Sequence, residues 1–287
     1  MPSTPFIIVG AAGMLGRAWR ELLDSLQLPY KAMDLPQIDI ADPQSIAKNL
    51  PSGRGTIAVV NCAAYTAVDK AEEDEATATK INGDAVRLLA TRCRTIGATL
   101  VHYSTDYVFN GEATTPYTTD QPHDPVNAYG RSKAAGETAL WQSGARHLLI
   151  RTSWLYAPWA NNFVRTMVKL TRDKPELKVV DDQRGRPTSA EHLARTSLTL
   201  LQRGEDGTFH VTDGGECTWH GFTVEIARLA GHVNCNILPC TSKDFPRPAR
   251  RPGFSVLDLS RVEAALGPMP AWQRNLADVM ARLEPVT

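Results

Sequence analysis

The run Gly10-Ala11-Ala12-Gly13-Met14-Leu15-Gly16 constrains this chain most, because of what lies on either side of it. Before it comes the apolar run Phe6-Ile7-Ile8-Val9, and after it Leu15, Trp19, Leu22, Leu23 and Leu26 recur at helical spacing from Met14 to Leu26. The order is strand, tight turn, helix. Glycines spaced as Gly-x-x-Gly-x-x-Gly let the backbone approach a ligand closely, and a helix N-terminus favours the negative charge of a pyrophosphate. The spacing differs from Gly-x-Gly-x-x-Gly, and a glycine triplet can also serve strand–helix packing alone; its place after a leading strand favours a dinucleotide site at Gly10, Gly13 and Gly16.

The rhythm repeats. Tyr30 to Met33 reads as a second strand ending at Asp34, Ala41-Asp42-Pro43 opens a short helix, and Thr56 to Val60 forms a third strand ending at Asn61. A long helix is expected from about Glu75 to Ile96, then strands at Thr99 to Tyr103 and His147 to Ile150. Strands alternating with helices predict an α/β fold, a Rossmann-type doubly wound parallel sheet. Beyond Arg151 prolines interrupt the pattern, densest at Pro239, Pro246, Pro248 and Pro252, while Ala190 to Leu201, Phe222 to Leu229 and Trp272 to Leu283 have helical periodicity. The expected division is a dinucleotide-binding domain at 1–153, with part of 188–212 returning to it, and a smaller, interleaved C-terminal substrate-binding lobe at 154–287.

Charge narrows the function. Lys plus Arg and Asp plus Glu both total 31, so no global field draws the chain to nucleic acid or an anionic membrane, and an anionic ligand needs a local cluster. The N-terminus carries no basic leader, long apolar segment or cleavage site, so a cytoplasmic protein is expected. Five scattered cysteines without Cys-x-x-Cys spacing read as reduced thiols, and no metal site is expected.

Chemistry-bearing residues fall where such a sheet puts its ligands. Asp34, about 20 residues past the glycines, stands where a carboxylate takes an adenosine ribose hydroxyl, favouring NADH, with Lys31 nearby leaving NADPH open. Asn61-Cys62-Ala63-Ala64 ends the third strand with small residues, and Ser104-Thr105-Asp106-Tyr107 ends the fourth. Tyr129 and Lys133 are four apart at a helix start, one face, so the ammonium can sit near the phenol. A phenol with an ordinary pKa of about 10 needs such help to exchange protons near neutrality. Thr105 would orient a carbonyl, Tyr129 protonate it, and Lys133 hold the donor's pKa down. Arg247, Arg250 and Arg251 are the locally basic group for a diphosphate. Asn162 and Phe163 open a helix where an amide and an aromatic face could receive a base or phosphate, or serve as N-cap and core.

Together the glycine loop, the small strand end, Ser104-Thr105-Asp106 and Tyr129-x-x-x-Lys133 resemble an extended short-chain dehydrogenase/reductase. More narrowly, His102 to Phe109, Arg151 to Ala157, Asn161-Asn162-Phe163, Asp182-Gln183-x-Gly185-x-Pro187-Thr188 and Ala249-Arg250-Arg251-Pro252 resemble the dTDP-4-dehydrorhamnose reductase family over almost the whole chain. The resemblance implies reduction of the C4 keto group of a dTDP-linked 4-keto-6-deoxy sugar by NADPH or NADH. It makes Tyr129 the proton donor, Lys133 its partner and ribose anchor, and Thr105 the carbonyl-side hydroxyl. It extends the cofactor set to Met14, Leu15, Asp39, Ile40, Cys62, Ala63, Ala64, Thr66 and Ser104, and gives Asp106, Tyr107, Trp154, Asn162, Phe163, Arg250 and Arg251 to the substrate. It allows a homodimer. Some members bind Mg2+ at a dimer interface; here one matching position is Ala18, although Glu191 matches another, and this departure speaks against a metal-bridged dimer. Two other readings of the same motifs are a nucleotide-sugar epimerase or dehydratase, and a non-catalytic regulatory subunit resembling the methionine adenosyltransferase beta subunit.

Overall fold

A computed structural model describes residues 6–50 and 58–284. In chain order the first half runs β1 (Phe6–Val9), α1 (Met14–Ser25), β2 (Tyr30–Met33), α2 (Pro43–Asn49), β3 (Ala58–Asn61), α3 (Val68–Ala71), α4 (Glu75–Thr79), α5 (Ala85–Ile96), β4 (Thr99–Thr105), α6 (Ala128–Gln142) and β5 (His147–Thr152). The second half runs β6 (Leu155–Tyr156), α7 (Phe163–Asp173), β7 (Glu176–Val180), β8 (Arg184–Gly185), β9 (Thr188–Ser189), α8 (Ala190–Gln202), β10 (Gly207–His210), β11 (Cys217–Thr218), α9 (Trp219–Ala230), β12 (Asn236–Cys240), α10 (Ser260–Leu266) and α11 (Trp272–Met280). The third expected strand began at Thr56; Thr56 and Ile57 lie outside the described residues.

Six strands form one parallel sheet in the order β10-β5-β4-β3-β1-β2, the doubly wound Rossmann-type arrangement. Side chains alternate across each strand, so the sheet carries a core on both faces. Phe6, Ile8, Val60, Val101, Tyr103, Leu148 and Ile150 meet α1 and α8 through Leu15, Trp19, Leu23, Leu193 and Leu198. On the other face Ile7, Val9, Val59, Leu100 and Leu149 meet Ile46, Val86, Leu89, Cys93 and Leu140. Truncating a fully buried member such as Leu89 to Ala would cost about 2–5 kcal/mol. Trp19 has no exposure, and its indole N–H is satisfied by the Tyr103 hydroxyl at 2.7 Å.

The expected helix at Glu75 to Ile96 is interrupted by a π-helical turn, Lys80–Asp84. The cause is tertiary. Buried Asn82 accepts from the Tyr65 N–H at 2.9 Å and donates to the Tyr65 carbonyl at 3.0 Å and to Ser132 Oγ at 2.9 Å. This ties the start of the α3 region to α6. Gly83 lets α6 pack close, since a Cβ there would lie 3.3 Å from the Ala135 methyl.

Although it lies late in the sequence, β10 pairs with β5 at the sheet edge. The remainder builds a smaller core of Tyr156, Val164, Met167, Phe222, Ile226, Trp272, Leu276 and Val279, carried mostly by α7, α9 and α11 beside the parallel pair β7 and β12. Asp213 joins the two parts: its carboxylate accepts from the Tyr156 hydroxyl at 3.0 Å, Asn275 Nδ2 at 2.7 Å and the Ser189 N–H at 3.1 Å. Among the described residues, no helix is long and apolar enough to cross a membrane.

Candidate active site

A cavity of about 520 Å³ opens at the carboxyl ends of the central strands, where a doubly wound sheet places its ligands. Its wall includes Gly13, Met14 and Leu15 from the glycine loop and Cys62, Ala63, Ala64 and Thr66 after β3. Ser104, Thr105, Asp106 and Tyr107 come from the end of β4, Tyr129 and Lys133 from α6, and Trp154 from beyond β5. Gly10 and Gly16 form the loop's frame instead of the wall. Gly10 has φ of +75°, and a Cβ on it would lie 2.5 Å from the Ala63 nitrogen. A Cβ on Gly16 would meet the Gly10 carbonyl and the Ala11 Cα. This glycine-built approach at the start of α1, next to small residues at the end of β3, fits a pyrophosphate and its nucleosides.

Three residues expected in the cofactor set hold other positions. Asp34 accepts from the Ala12 N–H at 2.6 Å, so its carboxylate braces the glycine loop. Asp39 accepts from the Ala41 N–H at 2.8 Å, and Ile40 is buried in the core beneath. None of the three lines the cavity.

The reacting groups sit where a strand end meets a helix start. Asn127 caps α6 by accepting from the Gly130 N–H at 2.7 Å, while its amide donates to the Arg250 carbonyl at 2.8 Å. One residue thus starts the helix and ties down a loop from the far end of the chain. The Thr105 hydroxyl donates to Asp106 Oδ1 at 2.9 Å and accepts from the Tyr107 N–H at 3.2 Å. The Tyr129 and Tyr107 rings meet edge to face with centroids 5.8 Å apart. Burial first, and Asp106 second, push the Tyr129 phenol above its ordinary pKa, while Thr105 draws it back. Tyr129 is therefore protonated across the neutral range, the form a proton donor needs. Burial also lifts Asp106, to about 6.

Lys133 differs from the sequence expectation. Its ammonium donates to the Tyr103 carbonyl at 2.6 Å, and no contribution from it lowers the Tyr129 phenol. Burial pulls Lys133 itself down to about 8, and Glu137 opposes that pull. The helix shared by Tyr129 and Lys133 was legible; the carbonyl that competes for the ammonium was not.

A second cavity, about 800 Å³, adjoins the first and shares Tyr107 and Trp219 with it. Phe163, Met167, Leu177 and Val179 give it an apolar side; Lys174, Lys178, Arg247 and Arg251 give it cations. Arg251 reaches it while forked onto Asp69, at 2.5 and 3.0 Å. Its neighbour Arg250 points elsewhere, exposed and paired with Glu112, and lines neither cavity. Asn162 does not line them either: it caps α7 through the Arg165 N–H and donates to the Ala157 carbonyl at 2.8 Å. Its capping role, the plainer of the two sequence readings, is the one the geometry uses.

Trp219 was missed from sequence. It stacks on Trp154 with centroids 3.5 Å apart and planes within 10°. Trp154 has φ of +48°, and Gly185 lies behind its indole, where a Cβ would come within 2.6 Å. The only signals for this pair were Thr218 as an N-cap before Trp219 and Gly185 within the run from Asp182 to Thr188.

Among the described residues no cluster of His, Cys, Asp or Glu could hold a metal ion. Glu191 is engaged instead by Arg282, with both contacts at 2.7 Å, and Ala18 is buried under α8.

The sheet, glycine loop and Tyr–Lys helix define an oxidoreductase with a Rossmann-type fold of the extended short-chain dehydrogenase/reductase class. Within that class the chain belongs to the dTDP-4-dehydrorhamnose reductase family: the family model described as the RmlD substrate binding domain matches residues 4–284. A dTDP-4-dehydrorhamnose reductase of Streptomyces griseus is 39% identical over 284 residues, covering 96% of this chain and 93% of its own. A probable dTDP-4,6-dihydroxy-2-methyloxan-3-one 4-ketoreductase of Streptomyces antibioticus is 40% identical, with 98% of each chain covered. The crystal structure of the Bacillus anthracis dTDP-4-dehydrorhamnose reductase in complex with NADP superposes with a TM-score of 0.91 at 33% identity, covering 98% of this chain and 99% of that one.

Proposed function

We propose that this chain reduces the C4 keto group of dTDP-4-dehydro-L-rhamnose to give dTDP-L-rhamnose, with Tyr129 as proton donor. The observation that carries this reading is the convergence of Thr105, Asp106, Tyr129 and Lys133 with the glycine loop in one cavity that adjoins a second, cationic and aromatic one. The nicotinamide cofactor, NADPH or NADH, supplies the hydride when bound. The loop of Gly10, Gly13 and Gly16 holds its diphosphate, with Cys62, Ala63, Ala64 and Thr66 leaving room along the sheet end. Thr105 orients the sugar carbonyl, and Tyr129 releases its proton to the oxygen as the carbonyl becomes a hydroxyl. Lys133, its ammonium held on the Tyr103 carbonyl in the same cavity, anchors the cofactor ribose. Arg251 and Arg247 take the sugar-nucleotide diphosphate, while Phe163 and Trp219 offer faces to the base.

A second reading differs only in the sugar. The Streptomyces antibioticus relative is named for another 4-keto sugar at similar identity, which favours a broader acceptance of dTDP-4-keto-6-deoxy hexoses.

The test incubates the protein with dTDP-4-keto-6-deoxyglucose and each reduced cofactor, with and without a matching 3,5-epimerase, and identifies the product. Epimerase-dependent formation of dTDP-L-rhamnose supports the first reading; equal turnover without the epimerase supports the second. An epimerase or dehydratase would give no net cofactor oxidation. Tyr129→Phe should lower kcat by about 10²–10⁴-fold with the fold intact. Retention of near-full activity removes Tyr129 from its role.

A further inference from the structure

Glu137 lies four residues past Lys133 and eight past Tyr129 on α6, on the same helical face, and it has no solvent exposure. Its carboxylate accepts from Arg151 Nε at 3.0 Å and Nη2 at 2.7 Å, and His123 Nε2 stands 2.8 Å away. Arg151, equally buried near the end of β5, also donates to the Thr119 carbonyl at 3.0 Å. A buried ion pair is an unpromising device for stability alone, since apolar side chains of like volume often do as well. Its place beneath the helix of the reacting groups suggests another use.

We propose that Glu137 is a positioning residue: clamped by Arg151 and His123, its carboxylate keeps Lys133 charged and seated on the Tyr103 carbonyl, in the cavity that Tyr129 also lines. This rests on the roles given above to Tyr129 and Lys133.

The surrounding groups leave this task to Glu137. From β4, His102 faces Lys133 and Glu137; burial first, then Lys133, keep it neutral, and its Nδ1 lies 3.1 Å from Asn61 Nδ2. From β10, His210 is held down to about 3 by burial and by Arg151, so it too is neutral. From β4 come the Tyr103 carbonyl and the Ser104 hydroxyl, from β5 the Arg151 cation, and from the loop before α6 the His123 imidazole. Asp106 bears on Tyr129 and Tyr107. Burial lowers Lys133 to about 8, and Glu137 is the charge that raises it.

The consequence is a pH profile. Reduction needs the ammonium, so activity falls as pH rises through the Lys133 titration. Without the Glu137 charge, burial acts unopposed and this alkaline limb moves to lower pH. Glu137→Gln should move the limb of kcat/KM for the sugar nucleotide down by roughly one pH unit, the scale of a single neighbouring charge. Because this change strands Arg151, it is paired with the double variant E137Q/R151Q, which replaces the ion pair by two amides. The double variant should recover urea stability yet keep the displaced limb. Glu137→Asp retains the charge and should leave the limb in place even if kcat falls. A wild-type limb in E137Q/R151Q, or a limb in E137D displaced as far as in E137Q, overturns the proposal. If Tyr129→Phe is inactive while the limb does not move in E137Q/R151Q, only this inference fails; an active Tyr129→Phe removes the reading beneath it.

Discussion

The two adjoining cavities are built by different means. The cavity at the strand ends is framed by a glycine loop, the ends of β3 and β4, and the first turn of α6, all braced by a core on both faces of the sheet. The other takes its shape from side chains on α7, β7 and the loop at 245–251, with lysines and arginines at its edge. The difference teaches where each kind of recognition resides. A diphosphate shared by every turnover can be met by fixed N–H groups and glycine gaps, whereas a particular sugar nucleotide is met by side chains that neighbouring sequences can exchange.

The contrast breaks first at Gly16. Gly16→Val forces a branched side chain against the Gly10 carbonyl and the Ala11 Cα, where backbone must move. Urea unfolding should show a loss of about 3 kcal/mol, and cofactor binding should disappear with it. Stability near wild type with cofactor still bound would mean the loop is adaptable, and the contrast would fail at its strongest point.

Arg251 tests the other side. Its guanidinium is only partly exposed and forked onto Asp69, so Arg251→Ala should raise KM for the sugar nucleotide about 10–100-fold and leave kcat within about threefold, as loss of one charged hydrogen-bonding group predicts. An equal fall in kcat and kcat/KM would instead place Arg251 in the chemistry. Arg250→Ala makes the smallest change: both partners of the Arg250–Glu112 pair are 66% exposed, and activity should stay within about twofold. A large effect there would move the diphosphate site by one residue.

What was legible in sequence follows the same division. The strands, the glycine loop and the Tyr129–Lys133 face are written in local periodicity and spacing, which survive without tertiary context. The π-turn at Lys80–Asp84 is not local, because it answers to Tyr65 and Ser132. Neither are the different surroundings of Arg250 and Arg251, which Asp69 and Asn127 set from distant elements. Lys133 was placed on the correct face, but its hydrogen bond to Tyr103 crosses from helix to sheet and leaves no mark in spacing. Asn162 was read both as a ligand contact and as a cap, and the first turn of α7 uses the cap.

The stacked indoles of Trp154 and Trp219 have a practical consequence. They are two of the chain's six tryptophans; Trp219 lines both cavities, and Trp154 lines the one at the strand ends. Such a pair is an intrinsic optical probe: cofactor arriving on one side and sugar nucleotide on the other should each alter its emission. Trp219→Phe should abolish most of both signals, so the order in which the two ligands load can be followed by fluorescence without any label.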